Sequence, residues 1–141
     1  MPAMLSATAS LPYGIAKQTA GPTTWQELPF WGGTPVGAPD SPGFIVNRIL
    51  DAIKREALSL LDEGVSAERV DTAVRLGLNF PMGPLELMDL VGLDTTLDCL
   101  INQARAMKRS PEFSPKLTGL VSAGNLGRKT GKGFYSYVPQ D

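Results

Sequence analysis

The residues that invite a chemical reading lie in a few places. The tail GRKTGKGFYSYV, Gly127 to Val138, is glycine-rich and basic, and loops of that composition cradle phosphates with backbone N–H groups. Its spacing does not fit that use. Gly127 and Gly131 are separated by three residues where a nucleotide phosphate loop needs four, and Lys132 is followed by Gly133 instead of Ser or Thr. Gly131, Gly133 and Ser136 give G-x-G-x-x-S with no helix behind it, so a dinucleotide fingerprint fails as well. Arg128, Lys129 and Lys132 then read as a solvated turn. The carboxylate pairs Asp62 with Glu63 and Glu86 with Asp89 are spaced like exposed helix-face residues. Cys99 falls inside a helical pattern and reads as a small buried apolar residue, because no histidine can activate it as a nucleophile.

Composition narrows the chemistry further. The chain has 141 residues, 13 Lys+Arg against 14 Asp+Glu, one cysteine and no histidine. A net charge of −1 carries no electrostatic footprint for a phosphate backbone, which argues against nucleic acid as a partner. One cysteine without histidine excludes a structural zinc site and a disulfide framework. Proton transfer near neutral pH would fall to a shifted Glu, Asp, Lys or Tyr. No apolar run approaches the roughly 18 residues of a membrane span. The first residues lack a basic start followed by an apolar block, so no membrane, no cleaved leader and a cytoplasmic location are expected.

The elements that must position these residues begin after a break in composition. Residues 1–43 hold 7 of the 12 prolines, 6 of the 15 glycines and only three charges, Lys17, Glu27 and Asp40. Residues 1–40 therefore read as an irregular arm and linker, whose Trp25, Phe30 and Trp31 should dock on a surface. Residues 41–141 read as a helical domain. Ser41 is the expected N-cap of a first helix with Pro42 at its first position. Val46, Ile49, Leu50, Ile53, Ala57, Leu60 and Leu61 would form its core face, with Asn47, Asp51, Lys54 and Arg55 opposite and Gly64 ending it. Ser66 should cap a second helix with a Val65 to Val70 staple, stopped by Gly77. Pro84 starts a short helix closed by Gly92. Asp94 caps a longer one ending in Lys108 and Arg109, and Ser114 with Pro115 opens the last, stopped by Gly124. The tail ends in a strand-like aromatic run. The fold class expected is all-α, about five short helices behind a Pro/Gly-rich arm, with nothing like alternating strand and helix.

Three stretches carry more than periodicity. DSPGFIVNRIL from Asp40, FPMGPLELMDLVGLD from Phe80 and GRKTGKGFYSY from Gly127 together resemble the C-terminal domain of the 3-hydroxyacyl-CoA dehydrogenases, in that family's order and at about its spacing. GGTPV, Gly32 to Val36, looks like the strand that leads into that domain; residues 1–31 match nothing in it. The resemblance implies oxidation of the 3-hydroxyl of an acyl-CoA with NAD, by a Rossmann domain holding the dinucleotide and a His–Glu pair. The helical domain would then close the acyl-CoA cleft and build a homodimer through its first and fourth helices. It also implies one active-site residue here, Asn47, whose amide can both donate to and accept from the reacting oxygen. Met82, Gly83 and Pro84 would shape the turn beneath the same cleft or the subunit contact, and Arg128, Lys129 and Lys132 are candidates for the edge of an acyl-CoA site. The catalytic histidine and glycine fingerprint have no counterpart in this sequence, so the chain alone is expected to bind no NAD and to be inactive. The alternative is a non-catalytic acyl-CoA-binding or oligomerisation module that pairs with a separate Rossmann subunit.

Overall fold

The computed structural model describes residues 6–9, 35–38, 43–111 and 114–137. The chain divides into two units, Met1–Arg48 and Ile49–Asp141, with the boundary inside the first helix.

In the first unit, β1 (Ser6–Ala9) and β2 (Pro35–Ala38) pair antiparallel, Ser6 opposite Ala38 and Ala9 opposite Pro35. Of the strand expected at Gly32 to Val36, Pro35 and Val36 lie in β2, which opens on a proline that needs no ladder N–H at a strand start, and Gly32 to Thr34 lie outside the described residues. Its partner β1 was not foreseen in an arm read as irregular: four small or polar residues give no alternation to read. Trp25, Phe30, Trp31, Ser41 and Pro42 lie outside the described residues.

Five α-helices follow, as expected: α1 (Val46–Asp62), α2 (Ala67–Leu78), α3 (Pro84–Val91), α4 (Leu93–Ala106) and α5 (Pro115–Ser122). Helix α1 starts at Val46 instead of Pro42, because Gly43 and Phe44 take left-handed φ values of 80° and 48° that a right-handed helix cannot continue. Its inward face also differs from the periodicity reading. Asp51, Lys54, Ala57, Leu58 and Leu61 are buried, whereas Val46, Ile49 and Leu60 are exposed. The apolar stripe of α1 is well defined, but its neighbours cover only one flank of it, Ala57 and Leu61 together with Asp51, Lys54 and Leu58, and spacing alone does not say how far the covered face is rotated from the stripe. Asp51 and Lys54 enter together as an ion pair at 3.6 Å; burial pushes the Asp51 carboxyl up and Lys54 pulls it back. Gly64, φ 101°, ends the helix as foreseen, with the Val65 N–H returning to the Leu60 carbonyl.

Ser66 caps α2 by accepting from the Arg69 N–H, and Val70 is buried with Val65 packed beside it. The helix runs through Gly77 and is closed by Asn79 at φ 56°, a residue that tolerates the left-handed region. Pro84 opens α3 and Gly92 closes it. Helix α4 follows without a loop, so Gly92 holds the N-cap position expected of Asp94, which sits in the first turn. Lys108 at φ 54° and Arg109 lie beyond its end, and Cys99 is exposed, not buried. Ser114 caps α5 by accepting from the Leu117 N–H and donates to Asp62 of α1 at 2.9 Å. In place of a strand the tail forms a 3-10 turn, Arg128–Thr130, and isolated bridges Gly127 to Lys132 and Lys132 to Ser136.

Every helix contributes to one core: Ala57, Leu58 and Leu61 of α1, Val70, Leu85, Met88, Leu93 and Leu117, with Phe134 and Tyr135 of the tail packed against it. No helix among the described residues is long and apolar enough to cross a membrane.

Candidate functional site

Asn47 lies in the first turn of α1, in the Met1–Arg48 unit, and is exposed. The left-handed Gly43 and Phe44 turn the chain immediately before it. Among the described residues its amide, which can both donate and accept, makes no hydrogen bond. Its neighbours in sequence Ile45 and Val46 are exposed apolar residues. A helix N-terminus adds partial positive charge, which favours an oxygen that gains negative charge during reaction.

The other residues singled out from sequence belong to the Ile49–Asp141 unit, and most are engaged in its fold. Gly83 and Pro84 are buried, Gly83 as the N-cap of α3 against Asp71, and Met82 is half-buried. Arg128 pairs with Glu86 at 3.3 Å and lies over the Tyr137 ring, while Arg75 reaches the other Glu86 oxygen at 3.7 Å. Lys129 holds Asp94 at 2.6 Å, which keeps that carboxyl below its usual range. Lys132 is exposed and makes no ion pair among the described residues.

Two residues given no role from sequence do the most here. Asp71 and Asp89 are essentially inaccessible to water, and each carboxylate is filled in the same way, by two consecutive backbone N–H groups and one tyrosine hydroxyl. Asp71 on α2 accepts from Leu85 N–H at 2.8 Å, Glu86 N–H at 3.0 Å and the Tyr135 hydroxyl at 2.6 Å. Asp89 on α3 accepts from Phe134 N–H at 2.9 Å, Tyr135 N–H at 3.0 Å and the Tyr137 hydroxyl at 2.9 Å. The Glu86 and Asp89 pair is therefore not an exposed helix face. Desolvation, reinforced by the adjacent carboxylates, pushes the Tyr135 phenol far up and that of Tyr137 up to about 12. The available signal was an aspartate embedded in the apolar run LELMDLV, a position where a charge needs internal partners.

This arrangement also answers the phosphate question. The amides of the glycine-rich tail point at an anion, and that anion is the protein's own Asp89. Gly127 and Gly133 are glycine because an added Cβ would overlap the Asp89 backbone and carboxylate respectively. The described residues thus do not fit a dinucleotide: the only glycine-rich turn among them has Phe134 and Tyr135 N–H engaged, and no parallel strand precedes it.

Residues 43–137 match the family model described as 3-hydroxyacyl-CoA dehydrogenase, C-terminal domain. The chain belongs to this family. Hydroxyacyl-coenzyme A dehydrogenase, mitochondrial, of Mus musculus is 48% identical over 109 residues, 75% of this chain and 35% of that protein. The probable 3-hydroxybutyryl-CoA dehydrogenase of Deinococcus radiodurans is 46% identical over 110 residues, 75% of this chain and 39% of that protein. Among solved structures, the (S)-3-hydroxybutyryl-CoA dehydrogenase of Ralstonia eutropha superposes with a TM-score of 0.67 at 42% identity, covering 72% of this chain and 36% of its own. The 3-hydroxybutyryl-CoA dehydrogenase of Escherichia coli gives 0.70 at 39% identity, covering 79% of this chain and 24% of its own. This chain thus spans about a third of the length of the dehydrogenases it matches. The resemblance carried by the three sequence stretches is confirmed at the level of the family and its C-terminal domain.

Proposed function

We propose that this chain supplies the substrate-closing and dimerisation domain of an NAD-dependent 3-hydroxyacyl-CoA dehydrogenase, with Asn47 hydrogen-bonded to the oxygen at carbon 3. The observation that carries the reading is the exposed position of Asn47 at the start of α1, within the segment that matches the family, with no hydrogen bond from its amide to any described residue. An amide suits both ends of the reaction: its oxygen accepts from the substrate hydroxyl and its N–H donates to the product ketone. The sequence holds no histidine and the described residues do not fit a dinucleotide, so the base and the hydride acceptor belong to a dinucleotide-binding domain, in the same or a separate polypeptide.

The test is a reconstitution. The chain alone, given 3-hydroxybutyryl-CoA and NAD, should form no NADH. Joined to the dinucleotide-binding domain of a relative it should do so, and Asn47→Ala should then lower kcat by about 10²–10³-fold. Acyl-CoA binding without turnover in the joined protein would favour the non-catalytic module instead. Turnover unaffected by Asn47→Ala would remove Asn47 from the site.

A further inference from the structure

The hydrogen bonds of Asp71 and Asp89 close on themselves. Asp89 of α3 holds the amides of Phe134 and Tyr135 in the tail. The Tyr135 side chain returns to Asp71 of α2, and Asp71 holds the amides of Leu85 and Glu86 at the first turn of α3. Among the described residues Tyr135 alone hydrogen-bonds to both carboxylates, by its N–H on Asp89 and its hydroxyl on Asp71. Each member depends on the rest, because a buried carboxylate that loses a donor, or a buried amide that loses its acceptor, is left without water to replace it. Close packing adds to the dependence: Gly83 abuts Asp71, and Gly127 and Gly133 abut Asp89, with no space for a methyl group at any of the three.

We propose that residues 127–137 act as a clasp, coupled through Tyr135 to the junction of α2 with α3, so that tail and junction open together as one cooperative unit that does not include the C-terminal ends of α4 and α5. The clasp makes the geometry of α2 and α3 conditional on the docked tail, over a sequence separation of 64 residues between Asp71 and Tyr135. A tail that merely frays from its end would leave Leu85 and Glu86 untouched, since their own acceptor is on α2.

Residue-resolved amide hydrogen exchange on the full chain tests this. In Asp89→Asn one acceptor oxygen faces three former donors. The clasp then requires that Leu85 and Glu86, whose acceptor Asp71 is unaltered, exchange at least about tenfold faster together with the amides at positions 134 and 135. Met107 and Ala123, which cap the C-terminal ends of α4 and α5 by bonding to Gln103 and Gly119, should keep their rates. Tyr135→Phe removes a single hydroxyl and serves where the asparagine variant does not fold; it should speed the amide at position 134, which Asp89 holds, as well as Leu85 and Glu86. Acceleration confined to positions 134 and 135 in Asp89→Asn, or to Leu85 and Glu86 in Tyr135→Phe, would overturn the coupling. So would equal acceleration at Met107 and Ala123, which would mark global unfolding.

Discussion

A carboxylate can be withdrawn from water only when its lone pairs are filled, and the donors that fill Asp89 approach so closely that the residues around it have no latitude. Gly133→Ala places a methyl group on the Asp89 carboxylate. It should cost about 1–3 kcal/mol, read as a lower urea midpoint at unchanged slope. The tyrosines give the same contact a pH signature. Tyr137 titrates near 10.0 in an unfolded chain and at about 12 when folded, so the fold favours its protonated form. Its contribution is complete below pH 10 and is lost as pH rises towards 12. Stability measured from pH 8 to 12 should fall over that window, and Tyr137→Phe should lose less across it than the parent chain does.

Helix ends were the most legible elements, because a cap is a local exchange between one side chain and the first orphan N–H groups. Ser66, Ser114 with Pro115, Pro84, Gly64, Gly92 and Gly124 all mark ends where the sequence places them. Ser114 has a second duty, its hydroxyl donating to Asp62, so Ser114→Ala should cost about 1–2 kcal/mol in chemical denaturation, the upper part of the range for a cap. Gly77 is the opposite case. It reads as a stop but lies inside α2 with open space where a Cβ would go. Gly77→Ala should therefore raise stability by up to about 1 kcal/mol. The misplaced starts of α1 and α4 have different causes: Phe44 takes a left-handed φ that nothing in its residue type announces, whereas Gly92, read correctly as the end of α3, also begins α4 because no loop separates the two helices.

At the scale of the whole molecule the apolar residues left outside are informative. Ile49 is 58% and Leu60 42% exposed on α1, with half-buried Ile53 between them, a stripe of roughly 16 Å at 1.5 Å per residue. On α4 the residues Leu97, Leu100, Ile101, Ala104 and Met107 are all half-buried, so α1 offers the larger free apolar surface for the proposed contact between two copies. Light scattering at tens of micromolar should give a dimer, and Ile49→Glu should give a folded monomer. A monomeric parent chain would end the dimer proposal without touching the role of Asn47.

The sequence by itself determined the class of the domain, most helix boundaries and, through three separated stretches, the family. These follow from local interactions, from periodicity, or from residue identities that are present before the chain folds. It also settled that no imidazole comes from these residues, since zero histidines is a count and not a conformation. Only the tertiary structure decided which stripe of α1 turns inward, that Cys99 faces outward, and that Asp71 and Asp89 are buried ligands of the tail. The reason is range: Asp89 meets Phe134 across 45 residues and Tyr137 across 48, and no spacing rule links positions that only folding brings together. What looked from sequence like a failed phosphate loop is a loop whose anion was supplied from within the chain.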